Sequence, residues 1–324
     1  MFSKFSFRFP LGKIVFAFAL SVGFAAVPVQ AAESYVAVEA YSGKVVLELN
    51  ADQKRPVASL AKIATAMVVL DWAELSKTSM ASLAVVPFEA SSLGGSNPMG
   101  LAPGDRISLR EAVYSMLLGS DNVAAYTLAS HAGRSIQARN GGTSAIDAFV
   151  GEMNNLARSL KMNSTRFANP HGMDTPNQRG FSTARDMARL CIYAMRNSGF
   201  QFYVKQKERV IASYRGNDKR AFRVANTHAL LGKSDVNGIK TGSTVLAGEC
   251  AATSAEKKPI VQKLENGASR LTGRRLIIVT LGSPDRWGMT QTLIVQGWGG
   301  YEGWRQQGSQ VTAARELIVV PDPE

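Results

Sequence analysis

Residues 35–49 read YVAVEAYSGKVVLEL, two largely apolar runs on either side of Ser42-Gly43. Such runs around a tight-turn pair read as a β-hairpin. Toward the C-terminus, Pro56 marks the start of Ser59–Leu75, SLAKIATAMVVLDWAEL, whose alanine, methionine and leucine content predicts a buried helix. Ser108-Leu109-Arg110-Glu111 has capping-box spacing and opens a second helix ending near Gly119, and a third starts around Asn122. Residues 146–160 and 183–197 are amphipathic, the latter capped by Thr183 with Asp186 three residues on. Beyond residue 205 strands are expected over 208–214, 221–224, 236–241, 248–253 and 275–281, then a helix over 290–296. The order is strand–strand, a helical block, then strands again. The simplest assembly is an α/β chain of the α+β type. Its one antiparallel sheet is built from both chain ends and flanked by helices, with an all-helical insertion over about 80–205.

The 324 residues hold 37 Lys and Arg against 25 Asp and Glu, a net +12, and 45% are hydrophobic, which excludes global disorder. Two cysteines build no disulfide framework; buried free thiols are expected at Cys191 and Cys250, with a bridge between them as the alternative that export permits. Three scattered histidines offer no zinc site, and no metal or organic cofactor is implied. His131, His171 and His228 read as structural hydrogen-bonding groups. No nucleic-acid motif accompanies the basic balance, and nucleic acid is not an expected partner.

The first 31 residues read as a signal peptide. Lys4, Arg8 and Lys13 form a positive segment without acids, Ile14–Val27 is apolar but for Ser21 and Gly23, and Val29-Gln30-Ala31-Ala32 offers small residues for cleavage after Ala31 or Ala32. The apolar run is shorter than the ~20 residues a bilayer span needs. The expected product is a soluble, exported domain, residues 32–324, periplasmic or wall-associated. It carries 34 basic and 25 acidic residues, near +9. Part of that charge lies in 257–275, with Lys257, Lys258, Lys263, Arg270, Arg274 and Arg275. This segment reads as a solvated loop, and alternatively as a contact with an anionic wall polymer or membrane surface.

Three short motifs carry the chemistry. Ser59-Leu60-Ala61-Lys62 places a hydroxyl and an amine one turn apart on one helix face. Serine is a weak nucleophile until a base takes its proton, and lysine is such a base only when burial or a second cation keeps it neutral. Ser254-Ala255-Glu256-Lys257 repeats the spacing but runs into a charged segment and is coincidental. Ser120-Asp121-Asn122 sits at a helix–helix turn, where all three residue types also cap helices. Its functional reading is a second hydroxyl passing a proton to the leaving group, with Asn122 donating to a substrate amide. Lys240-Thr241-Gly242 ends a strand and precedes Ser243. Lys240 and Thr241 suit a carboxylate, Gly242 admits close backbone approach, and the N–H groups of Ser243 and Ser59 suit an oxyanion.

Together and in this order the motifs resemble those of the serine penicillin-recognising enzymes. A closer resemblance, to the D-alanyl-D-alanine carboxypeptidases among the low-molecular-mass penicillin-binding proteins, rests on Asn169-Pro170-His171-Gly172-Met173-Asp174, on 181–188, on 226–232 and on Gly238-Ile239-Lys240-Thr241-Gly242. It implies a β-lactamase/transpeptidase-like fold, Ser59 as acylated nucleophile, Lys62 as general base, and Ser120 and Asn122 as the second motif. Lys240, Thr241 and Arg286 would bind the substrate carboxylate, Arg286 being followed by Trp287 and by Leu293-Ile294. The implied partners are peptidoglycan stem peptides, with β-lactams as covalent inhibitors.

Three departures bear on function. The family usually has Ser-Gly-Asn where Asp121 stands here, a spelling shared with class A β-lactamases, yet no E-x-x-L-N motif is present. Only 84 residues follow Lys240, so the second β domain and terminal anchor of many members are expected to be absent. The tail 316–321 reads as a short strand. The expected activity is removal of the terminal D-Ala from stem peptides through a Ser59 acyl-enzyme. Cleavage of peptidoglycan cross-links by a DD-endopeptidase is the alternative, and a β-lactamase or a non-catalytic binding module comes behind both. The Trp298, Tyr301 and Trp304 group, with its glycines, reads as core packing and turns.

Overall fold

The computed structural model describes Met1, residues 33–175 and residues 179–321. The expected export signal, Met1 apart, lies outside the described residues. Strands β1 (Ser34–Glu39) and β2 (Val45–Leu49) form the N-terminal hairpin, pairing Tyr35 with Leu49 and Val38 with Val45. A tight 3-10 turn, Ala58–Ala61, runs directly into α1 (Lys62–Leu75). α1 is buried on nearly all sides, as a helix without a polar face must be. Next come β3 (Leu83–Val85), β4 (Arg106–Ser108), α2 (Leu109–Leu118), α3 (Asn122–Asn140), α4 (Ala145–Ser159), α5 (Ala184–Ala194) and α6 (Ser198–Val204). The C-terminal part holds β5 (Glu208–Arg215), β6 (Asp218–Ala225), β7 (Val236–Thr244), β8 (Gly248–Lys263), β9 (Ser269–Ser283) and α7 (Arg286–Gln306).

The main sheet is antiparallel, in the order β2-β1-β9-β8-β7, so both chain ends build it. Successive side chains of a strand face opposite sides. Val36, Val38, Ile277 and Val279 accordingly enter the large core shared with α1 and α5, while Ala37, Leu276 and Ile278 pack with Leu293, Ile294 and Trp298 of α7. Burial on both faces accounts for the nearly unbroken apolar run of β9. The expected caps form. Ser108 Oγ accepts from Glu111 N and donates to Glu111 Oε2, and Thr183 Oγ1 accepts from Asp186 N at 3.0 Å.

Five particulars differ from the sequence reading. Segments 208–214 and 221–224 do not join the main sheet. As β5 and β6 they pair in a second antiparallel sheet, β3-β4-β5-β6, because Arg209, Lys219, Arg220 and Arg223 do not suit a sheet covered on both faces. The 80–205 block is therefore not all helical, since it contributes β3 and β4. Segment 257–275 is no loop: β8 and β9 continue through it as a two-stranded ribbon. The tail forms a 3-10 turn, Ala314–Glu316, and a single bridge between Leu317 and Lys44. The glycines around Trp298 and Tyr301 are helical within α7, where Gly297 lets the helix settle against Leu276 and Ala37. Cys191 and Cys250 are buried free thiols, and burial raises the pKa of both.

Candidate active site

Ser59 lies in the 3-10 turn and Lys62 is the first residue of α1. A 3-10 turn has three residues per turn, so the two side chains eclipse, and Lys62 Nζ stands 2.9 Å from Ser59 Oγ. The amine is fully buried. It also lies 2.6 Å from Asn122 Oδ1 and 2.8 Å from the carbonyl oxygen of His171. Both of those atoms only accept. Nζ donates to all three oxygens; once deprotonated, the amine keeps its two N–H groups for the obligate acceptors and turns its lone pair to the Ser59 hydroxyl. The Asn122 amide orientation is held by Nδ2 donating to Gly94 O at 2.7 Å. Burial and then the nearby Lys240 ammonium hold the Lys62 pKa well below its usual value, opposed in part by Asp121.

The opposite wall is β7, the edge strand. Gly242 passes so close to the 3-10 turn that a Cβ on it would stand 2.9 Å from Ser59 N. Lys240 is buried, with Nζ donating to Thr241 O at 2.9 Å, and burial followed by the charge of Arg286 lowers its pKa to about 7. Thr241 and Thr227 share a hydroxyl–hydroxyl hydrogen bond of 2.6 Å. Arg286 opens α7 behind the capping Asp285, donates to Gly242 O at 3.2 Å and stacks 4.8 Å from the Trp287 ring centroid. Lys240, Thr241 and Arg286 thus form a cationic corner beside the Ser59 turn.

The third side is the 169–174 loop and the start of α3. Gly172 has φ +80°, and a Cβ there would reach 2.0 Å from Ala58 O. Only glycine lets this loop press onto the turn and deliver the His171 carbonyl to Lys62. The His171 ring is neutral, its pKa lowered to about 3 by burial and then Lys62, and Nδ1 accepts from Met173 N at 3.2 Å. His228 is similarly buried, lowered to about 4, with Nε2 2.9 Å from Thr253 Oγ1. His131 packs edge-on against Trp72. Ser120 adopts a left-handed backbone (φ 59°) and makes no hydrogen bond to Ser59 or Lys62. Asn122 Nδ2 donates one N–H to Gly94 O, and its amide carries a second. The sequence reading missed two members, the carbonyls of His171 and Gly94. Main-chain oxygens leave no residue-type signal, although the Pro170-His171-Gly172 turn pointed to the first.

The family model for D-alanyl-D-alanine carboxypeptidase, peptidase S11, matches residues 23–262. The chain belongs to that family. The D-alanyl-D-alanine carboxypeptidase DacC of Escherichia coli (strain K12) is 33% identical over 231 residues, covering 69% of this chain and 53% of that protein. The chain thus spans about half the length of this relative. A D-alanyl-D-alanine endopeptidase of Pseudomonas aeruginosa is 32% identical over 233 residues, 71% of this chain and 69% of that protein. The Streptomyces K15 DD-transpeptidase superposes with a TM-score of 0.69 at 26% identity, over 82% of this chain and 96% of that one. The mixed α/β architecture with antiparallel sheets is the fold of these DD-peptidases. The role of Asp121 is explained locally. Its carboxylate caps α3 by accepting from Ala124 N at 3.0 Å and takes a hydrogen bond from Ser115 Oγ at 2.7 Å. Both oxygens are engaged there.

Proposed function

We propose that the protein is an exported serine DD-peptidase that removes the terminal D-Ala from peptidoglycan stem peptides. The observation that carries this reading is the 2.9 Å contact between Ser59 Oγ and an amine whose other partners are both acceptors. Lys62 takes the hydroxyl proton as Oγ bonds to the carbonyl carbon of the penultimate D-Ala. Ser59 N–H and Ser243 N–H receive the developing oxyanion. The carboxylate of the terminal residue rests on Lys240, Thr241 and Arg286. Ser120 relays the proton taken up by Lys62 to the departing amine, and Asn122 holds Lys62 in place while its free N–H donates to the substrate amide. Water then attacks the acyl-enzyme, with Lys62 again as base, and Ser59 is released. β-Lactams enter by the same acylation and are lost slowly. Asp121 is committed to its helix cap and supplies no second base for them.

Ser59→Ala is expected to abolish covalent labelling by a fluorescent penicillin. Labelling that persists would place the nucleophile elsewhere. Similarity to the Pseudomonas aeruginosa endopeptidase supports cross-link cleavage as a second reading. Digestion of purified muropeptides separates the two, free D-Ala marking the first and monomers released from dimers the second. The basic ribbon lies outside this chemistry, and its partner is an anionic surface.

A further inference from the structure

β8 and β9 outrun their neighbours. β7 accompanies β8 only as far as Ala255, and β1 accompanies β9 only from Leu276. The two strands then continue together to the pair Lys263 and Ser269, a ribbon of about 20 Å with no strand on either edge. Its root is pinned. Lys257 Nζ lies 4.7 Å from the Trp298 ring centroid, and Arg274 donates to Lys258 O at 2.8 Å and pairs with Glu302 at 3.1 Å. The Tyr41 ring occupies the space that a Cβ on Gly273 would take.

The distal part is not held in this way. Among the described residues the side chains of Lys258, Lys263 and Arg270 make no ion pair or hydrogen bond, and Glu265 is the single carboxylate between Lys258 and Gly273. Cross-strand partners share a face, so Val261 and Leu271 form an apolar pair, 61% and 66% exposed, with Lys263 on the same side. A soluble polyanion would be met by the cations alone and would leave that pair in water. An anionic bilayer surface uses both, methyl groups entering the boundary between headgroups and acyl chains while the cations meet lipid phosphates. Pro259 and the bulge between Lys257 and Ile260 blunt the β8 edge against pairing with a second copy. We infer that residues 257–274 are a docking arm for an anionic lipid surface. The inference rests on the ribbon and stands whether or not Ser59 is the nucleophile.

The test is co-sedimentation of the full chain with phosphatidylcholine vesicles, with and without phosphatidylglycerol. All variants keep the same N-terminus, so the apolar 14–27 stretch contributes equally, and thermal unfolding monitors the fold. Wild type is expected to favour the phosphatidylglycerol vesicles. Lys263→Gln lowers that partitioning roughly fivefold, one cation being removed from the Val261–Leu271 face. Val261→Ser with Leu271→Ser lowers it more than about tenfold with the cations intact. Equal partitioning of wild type and both variants overturns the inference. So does a serine variant that binds like wild type, or binding of a phosphodiester polymer that the serine changes leave intact, which marks a wall polyanion. A dimer in sedimentation equilibrium that the serine changes dissolve also overturns it, in favour of self-association.

Discussion

Gly242 stands where the edge strand β7 passes the turn that carries Ser59. A Cβ at this position would lie 2.9 Å from Ser59 N, 3.1 Å from Ala58 Cβ and 3.2 Å from Val57 O, whereas ordinary contact begins at 3.4 Å. None of these atoms is the end of a flexible side chain. Gly242→Ala therefore forces strand and turn apart by about half an ångström, because a packed interior has no slack to absorb it. In the proposed reaction the two oxyanion donors, on Ser59 and Ser243, sit on opposite sides of that seam. One such donor is worth about 2.7–4 kcal/mol, and a misplacement of 1 Å costs on the order of a hundredfold. Acylation by a fluorescent penicillin is expected to slow roughly ten- to hundredfold. Overpacking lowers stability by about 1–3 kcal/mol, so the chain still folds. Labelling rates at several penicillin concentrations, with thermal unfolding of the same samples, separate the two effects. A folded Gly242→Ala protein labelled at the wild-type rate would refute the claim that this close approach sets the oxyanion site.

Lys62→Arg keeps a cation beside Ser59 but removes any usable base, and should slow acylation by about 10²–10⁴ in stopped-flow or quenched labelling. Asn122→Asp sets a carboxylate where Oδ1 now lies, 2.6 Å from Lys62 Nζ. The attraction raises the Lys62 pKa by roughly 1–3 units, so the amine stays protonated to higher pH and the acid limb of the acylation profile moves up by that amount. A profile that stays in place would count against Lys62 as the titrating base. Asp121→Ala removes the α3 cap and the partner of Ser115. It should cost about 0.5–2 kcal/mol in denaturant unfolding while acylation falls far less than in Ser59→Ala.

Much of this was legible because it depends on local chemistry. The Ser108 and Thr183 caps need only the right oxygen three residues before a donor. The Ser59–Lys62 pair needs only a turn of three residues. β3 and β4 escaped because three residues offer too little alternation to separate a strand from a loop. The 257–275 ribbon escaped because lysine, arginine, glycine and proline in a row read as solvent-facing coil, whereas pairing with a partner strand imposes the extended form. The Ser120-Asp121-Asn122 motif was visible, but the division of labour within it was not. Asp121 and Asn122 are neighbours in the chain, yet one turns its oxygens into a cap and the other faces Lys62.

By itself the chain order of residues determined which side chains can do chemistry here and that strands from both ends must meet, since hydrophobic periodicity, capping and motif spacing are properties of neighbouring residues. Only the folded molecule decided that Lys62 is walled in by the carbonyl of His171 and the amide of Asn122, that Lys240 and Arg286 crowd one corner, and that glycine is demanded at 172 and 242. Those facts arise from the approach of segments tens to hundreds of residues apart, and the distances between such segments are set by packing.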